Sequence, residues 1–130
     1  NHMTAARYDI TIDQGSDFAL ELIVKDSGTA RSFADTTNDA GQTLSWDARA
    51  RYRKTPEDTK EYLLGAAIDT STTGKIIVSH AHNANSADPA PAGTYLYDLE
   101  VYQYNTTTNA ELSVTRLIGG SLTLKREVTR

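Results

Sequence analysis

Along most of this chain apolar and polar residues alternate one by one, a period that suits extended strands with a single buried face. The pattern is clearest over residues 94–104. There Tyr95, Tyr97, Leu99 and Val101 fall on one side, and Leu96, Asp98, Glu100, Tyr102 and Tyr104 on the other. Trp46, Ala48, Ala50 and Tyr52 alternate in the same way with Asp47, Arg49, Arg51 and Arg53. Near the start, Tyr8, Ile10 and Ile12 oppose Asp9, Thr11 and Asp13, and Phe18, Leu20, Leu22 and Val24 oppose Ala19, Glu21, Ile23 and Lys25. Shorter strands are predicted over residues 62–64 and over the β-branched run 74–79. After a hairpin loop at 105–109 the chain returns over 111–118 with Leu112 and Val114 inward. Gly119-Gly120 is read as a bulge or bend, and a last strand over 121–128 turns Leu122 and Leu124 inward.

Turn chemistry separates these segments at 14–17, at 26–28 and at 55–58, where Pro56 fixes φ. Residues 27–43 read as a long polar loop pinned to the core by Phe33, and 80–93 as a second loop with a helical turn over 81–87 as its one helical candidate. Seven or eight short strands, with one helical turn as the sole helical candidate, predict an all-β fold, an immunoglobulin-like antiparallel β-sandwich. A chain of 130 residues fits one such domain. Asn1-His2-Met3 reads as a remnant of cloning, which places the domain over residues 4–130.

The sandwich needs no covalent staple at this size, and the chain has no cysteine, so disulfides, thiolate metal sites and a cysteine nucleophile are excluded. A net charge of -4 offers no cationic excess to displace counterions from a phosphate backbone, and nucleic acid is not an expected partner. No apolar run approaches the roughly 20 residues of a spanning helix, so no membrane partner is expected either.

Chemistry-bearing residues are sparse. His80 and His82 would share a face on a strand, but a zinc site wants three or four ligands, and the nearest carboxylate, Asp88, lies across a flexible stretch. The plainer reading is a pair of exposed loop histidines. Asp98 and Glu100 share a strand face, as a general acid and base could. If their strand neighbours the one carrying the outward row Arg49, Arg51 and Arg53, they read more simply as a cross-strand charge ladder. No nucleophile elbow or phosphate-binding loop occurs, and the sequence predicts no catalytic residue, cofactor or metal. The sequon Asn105-Thr106-Thr107 reads as a polar hairpin loop. Tyr102 and Tyr104 face outward, where tyrosines anchor protein interfaces, stack on sugars, or cover the sheet.

Three stretches carry a family resemblance. One is Ala92-Gly93-Thr94-Tyr95-Leu96-Tyr97-Asp98-Leu99-Glu100-Val101. Another is Val114-Thr115-Arg116-Leu117-Ile118-Gly119-Gly120-Ser121-Leu122-Thr123-Leu124, and the third is Glu127-Val128-Thr129-Arg130. Together with the opening Tyr8-Asp9-Ile10-Thr11-Ile12-Asp13-Gln14-Gly15 and with Trp46-Asp47-Ala48-Arg49-Ala50, they resemble small virion structural proteins of tailed bacteriophages. The chain departs from that pattern at 34–43, an insertion, at Gly119, where the pattern has a glutamate, and at 83–91, where it has a helical stretch. The resemblance implies a non-enzymatic component of the tail, baseplate, neck or fibre-attachment region, made in the host bacterial cytoplasm and built into the virion. Its partners would be other virion proteins, in a homo-oligomer or a ringed hetero-complex. The interface candidates are then Tyr102, Tyr104, Arg49, Arg51, Arg53, Asp98 and Glu100. A carbohydrate-binding module using exposed tyrosines and the loops 27–43 and 80–92 is the alternative.

Overall fold

The computed structural model describes residues 6–85 and 87–126, and none of them is helical. Eleven strands follow in order: β1 (Ala6–Arg7), β2 (Ile10–Asp13), β3 (Phe18–Ile23), β4 (Lys25–Asp26), β5 (Thr29–Ala30), β6 (Thr36–Thr37), β7 (Thr43–Arg53), β8 (Tyr62–Asp69), β9 (Lys75–His80), β10 (Gly93–Asn105) and β11 (Glu111–Lys125). One layer is built from β7, β10 and β11, and the other from β8, β9 and β3. β8 serves both. Its first residues Tyr62, Leu63 and Leu64 lie opposite Tyr52, Arg51 and Ala50 of β7, and residues 65–69 then pair with β9. The chain thus carries one continuous ladder around a corner. The orders β7-β10-β11 and β8-β9-β3 follow the C-F-G and D-E-B strands of an immunoglobulin-type sandwich.

Nearly every pairing is antiparallel. The exceptions are β1 and β2, which join the free edge of β11 in parallel, a direction open to them because no hairpin links them to it. The two layers close on a single apolar cluster. Tyr52, Ile12, Ile76, Leu99, Leu122, Val78 and Val101 are its most completely buried side chains, drawn from β2, β7, β9, β10 and β11. Burying each contributes about 1.5–3 kcal/mol relative to exposure. The inward residues of 94–104 and of 46–53 are those their alternation assigns, with Trp46 half-buried against the cluster.

Several expectations are corrected. Leu112 and Val114 are exposed, not inward. The ladder between β10 and β11 slips by one residue between Leu99 and Glu100, so that Leu117 is inserted and buried. The residues between that bulge and the next irregularity change face, and Val114 lands opposite outward-facing Tyr102. A second shift, at Gln103/Tyr104, passes over Leu112. Gly119-Gly120 is therefore not the irregularity: both pair in register with Asp98 and Tyr97. Gly120 answers a different demand, since a Cβ there would lie 2.5 Å from the Tyr8 carbonyl oxygen. That carbonyl accepts the Tyr97 hydroxyl, and Tyr8 itself is exposed rather than turned in with Ile10 and Ile12.

The strand expected over 62–64 runs on to Asp69, and the two predicted strands after the hairpin are one, β11. The long loop 27–43 contains β5, β6 and the Ser27-Gly28 turn, whose positive φ angles (53° and 83°) close the β4–β5 hairpin. Phe33 does pin it: it is buried, edge-on to Trp46 at 5.8 Å. Residues 81–85 and 87 form turns without a helix. Residues 1–3, the end of the last predicted strand and the closing Glu127-Val128-Thr129-Arg130 lie outside the described residues.

Candidate functional site

The outer face of the β7–β10–β11 layer collects most of the candidate residues. Pairing of β7 with β10 sets Arg49 opposite Glu100, Arg51 opposite Asp98, Arg53 opposite Leu96 and Asp47 opposite Tyr102. Alternation turns all eight away from the core, and antiparallel pairing brings each arginine beside a carboxylate or one position from it. The predicted ladder forms. Arg49 Nε donates to Glu100 Oε1 at 2.9 Å and Arg51 Nη2 donates to the same oxygen at 3.2 Å. Arg51 Nε and Asp98 Oδ1, buried atoms without a hydrogen-bond partner, face each other at 3.8 Å.

The ladder is wider than alternation on two strands can reveal. Glu111 takes Arg49 Nη1 at 2.9 Å, and Glu61 takes Arg53 and lies 3.6 Å from Arg51. The bonds to Glu111 and then Glu100 hold the Arg49 guanidinium's pKa above its ordinary value. Glu111 joins because the second register shift sets it opposite Tyr104, on the outer face. Glu61 precedes β8 and carries no periodic signal.

Beyond the ladder the face becomes apolar. Tyr102 and Tyr104 lie 5.9 Å apart, tilted by 46°, and Val114 stands opposite Tyr102. Arg49 covers one face of the Tyr102 ring at 4.6 Å, and the Tyr102 hydroxyl donates to Asp47 Oδ2 at 3.3 Å. Burial, then the Asp47 charge, pushes the Tyr102 phenol's pKa up. The structure thus brings Tyr102, Arg49, Arg51, Asp98 and Glu100 into one connected network. Arg53 enters it through Glu61, and Tyr104 through Tyr102. Val114, Leu112 and Leu63, exposed apolar residues nearby, were missed: the bulges hide the first two, and a three-residue segment shows no alternation for the third.

The histidines part company. His80 Nε2 lies 3.0 Å from the Tyr52 hydroxyl at the mouth of a cleft of about 450 Å³ between the Gln14-Gly15 turn and the Pro89–Pro91 loop. His82 instead binds Asp17 through Nδ1 and its backbone N–H, both at 2.8 Å. Among the described residues no three or more His, Cys, Asp or Glu side chains gather as a metal site would require. Burial lowers the His80 pKa, and Tyr52, also buried, is pushed up to about 12. Asn105 of the sequon is buried, and its Oδ1 caps the hairpin by accepting Thr107 N–H at 2.8 Å and Thr108 N–H at 3.2 Å. No protein-family model matches this chain, and no curated protein matches it.

Proposed function

We propose that this chain is a non-enzymatic structural protein of a tailed-bacteriophage virion, a tail, baseplate, neck or fibre-attachment component that works through protein–protein contacts. The class of particle rests on the strand motifs; the mode of action rests on the outer sheet face. The observation that carries the reading is that this face presents a pre-ordered arginine–carboxylate network bordered by Tyr102, Tyr104 and Val114. Arginine and tyrosine are the residues that anchor interfaces, and here the network holds their rotamers before any partner arrives, which lowers the entropy cost of docking. The edges favour the same reading. Among the described residues β3 pairs only with β9, and β11 residues 111–117 pair only with β10, so both leave unpaired N–H and C=O groups for strand addition. Partners are then other virion proteins, in a homo-oligomer or a ringed hetero-complex.

Sugar recognition is less well served. A stacking sugar needs a free aromatic face, and Arg49 already occupies one face of Tyr102.

Mass spectrometry and electron microscopy of purified particles from a phage carrying this gene test the proposal. The protein is expected in stoichiometric amounts in the virion. Particles that assemble and infect with none of it would end the assembly reading. A glycan that binds at micromolar concentration and is lost on Tyr102→Ala would favour the sugar module instead.

A further inference from the structure

One row of residues crosses the outer face from strand to strand: Arg7 on β1, Gly119 on β11, Asp98 on β10 and Arg51 on β7. Gly119 alone in that row has no side chain. The gap is part of a cleft of about 450 Å³ walled by Arg7, Arg53, Arg116 and Asp98, with Gly119 and Gly120 in its floor. Three guanidiniums and one carboxylate line it, on a chain whose net charge is -4. The cations are unequally engaged. Arg53 is held by Glu61, and Arg7 reaches Asp9 at 3.4 Å with both side chains more than half exposed. Arg116, exposed, takes part in no ion pair among the described residues. Asp98 turns Oδ1 toward Arg51.

We propose that this cleft receives the carboxylate of one glutamate side chain from a partner polypeptide. The inference rests on the assembly reading above and names the chemistry of the partner. A planar guanidinium fork matches a carboxylate, and Arg116 has its donors to offer. A dianion such as phosphate would bring a second charge against Asp98 on the same wall. A glutamate brings one charge on an aliphatic stem, and Leu96 and Pro56 line the cleft to meet that stem. The cleft opens onto the ladder and the exposed Leu96, so a chain delivering the glutamate would lie along the rest of the face.

The test is titration of the isotope-labelled full chain, followed by NMR, with three probes: acetyl-Ala-Glu-Ala-amide, acetyl-Ala-Gln-Ala-amide and inorganic phosphate. Saturable shifts are expected at the Gly119 and Gly120 amides and at Arg116 Nε with the glutamyl peptide alone. Arg116→Ala should weaken binding about tenfold or more. Gly119→Glu should abolish it by supplying the carboxylate from within. That variant should fold, because a Cβ at Gly119 meets Tyr97 O at 3.6 Å and Arg116 Cδ at 3.9 Å, ordinary contacts, and its spectrum reports folding directly. Equal binding of the glutaminyl peptide, preference for phosphate, shifts scattered over the surface, absence of saturable shifts, or undiminished binding by folded Gly119→Glu would each overturn the proposal. Any of these leaves incorporation into particles separately measurable, so the two readings fail independently.

Discussion

Two adjacent glycines show how sharply neighbouring residues differ once strands are packed. At Gly120 a methyl group meets a backbone carbonyl that is already engaged by Tyr97; at Gly119 it makes only ordinary contacts, with Tyr97 O at 3.6 Å and Arg116 Cδ at 3.9 Å. Gly120→Ala should therefore destabilise the fold by about 1–3 kcal/mol, a cost typical of forcing atoms into a filled site. Gly119→Ala should stay within about 0.5 kcal/mol of the parent, as surface changes do. Urea denaturation of both variants checks the contrast, and equal midpoints would contradict it. His80 supplies the pH-sensitive residue. Its pKa in the folded protein lies below the ordinary 6.5 because burial disfavours the imidazolium, and Tyr52, the group it faces, stays neutral up to about 12. Acidification through about pH 6.5 thus protonates the unfolded chain before the folded one, so His80's contribution to stability falls as pH drops below that value. Thermal midpoints measured between pH 7.5 and 5.5 should decline, and His80→Gln, which does not titrate, should flatten that part of the slope.

Single strands matter most where their ladders slip. The bulge at Leu117 carries one aliphatic side chain into the core and turns β11 over as far as the second shift, which leaves residues 111–114 exposed on both faces. Leu117→Ala should cost about 2–5 kcal/mol, the range for a buried leucine, while Val114→Ala should cost less than about 1 kcal/mol. A regular ladder would predict the reverse ranking. The charge ladder belongs to the same scale. Arg49 and Glu111 are more than a third exposed, so a double-mutant cycle should return a coupling of only about 0–1 kcal/mol, smaller still at high salt. The ladder orders the face rather than holding the domain together.

Across the whole molecule, β8 decides cooperativity. By pairing with β7 at one end and β9 at the other it ties both layers into one hydrogen-bonded path around one apolar cluster. The two layers should therefore unfold together. Fluorescence of Trp46, the chain's one tryptophan, and far-ultraviolet circular dichroism should give coincident urea transitions. Non-coincidence would mean that the Phe33–Trp46 end unfolds apart from the rest. Hydrogen exchange should be slowest at Leu99 and Val101 and fastest over 106–114, where side chains on both faces are exposed.

Alternation by itself determined the fold class, the inward faces of β3, β7 and β10, and the outward rows of Arg49, Arg51 and Arg53 on one strand and of Asp98 and Glu100 on another. Those depend only on parity within a strand, which a period of two records directly. Tertiary structure decided what parity cannot carry. Two register shifts moved Val114 and Leu112 into solvent, the ladder passed through Gly119-Gly120 without a break, β7 came to lie beside β10, and β8 crossed from one layer to the other. Glu61 was recruited from a position that no local pattern encodes, and Glu111 by the register that sets it opposite Tyr104. A register shift is chosen by the fit of two strands and the packing beneath them, contacts between residues distant in sequence, and a single slip reverses every face that follows it.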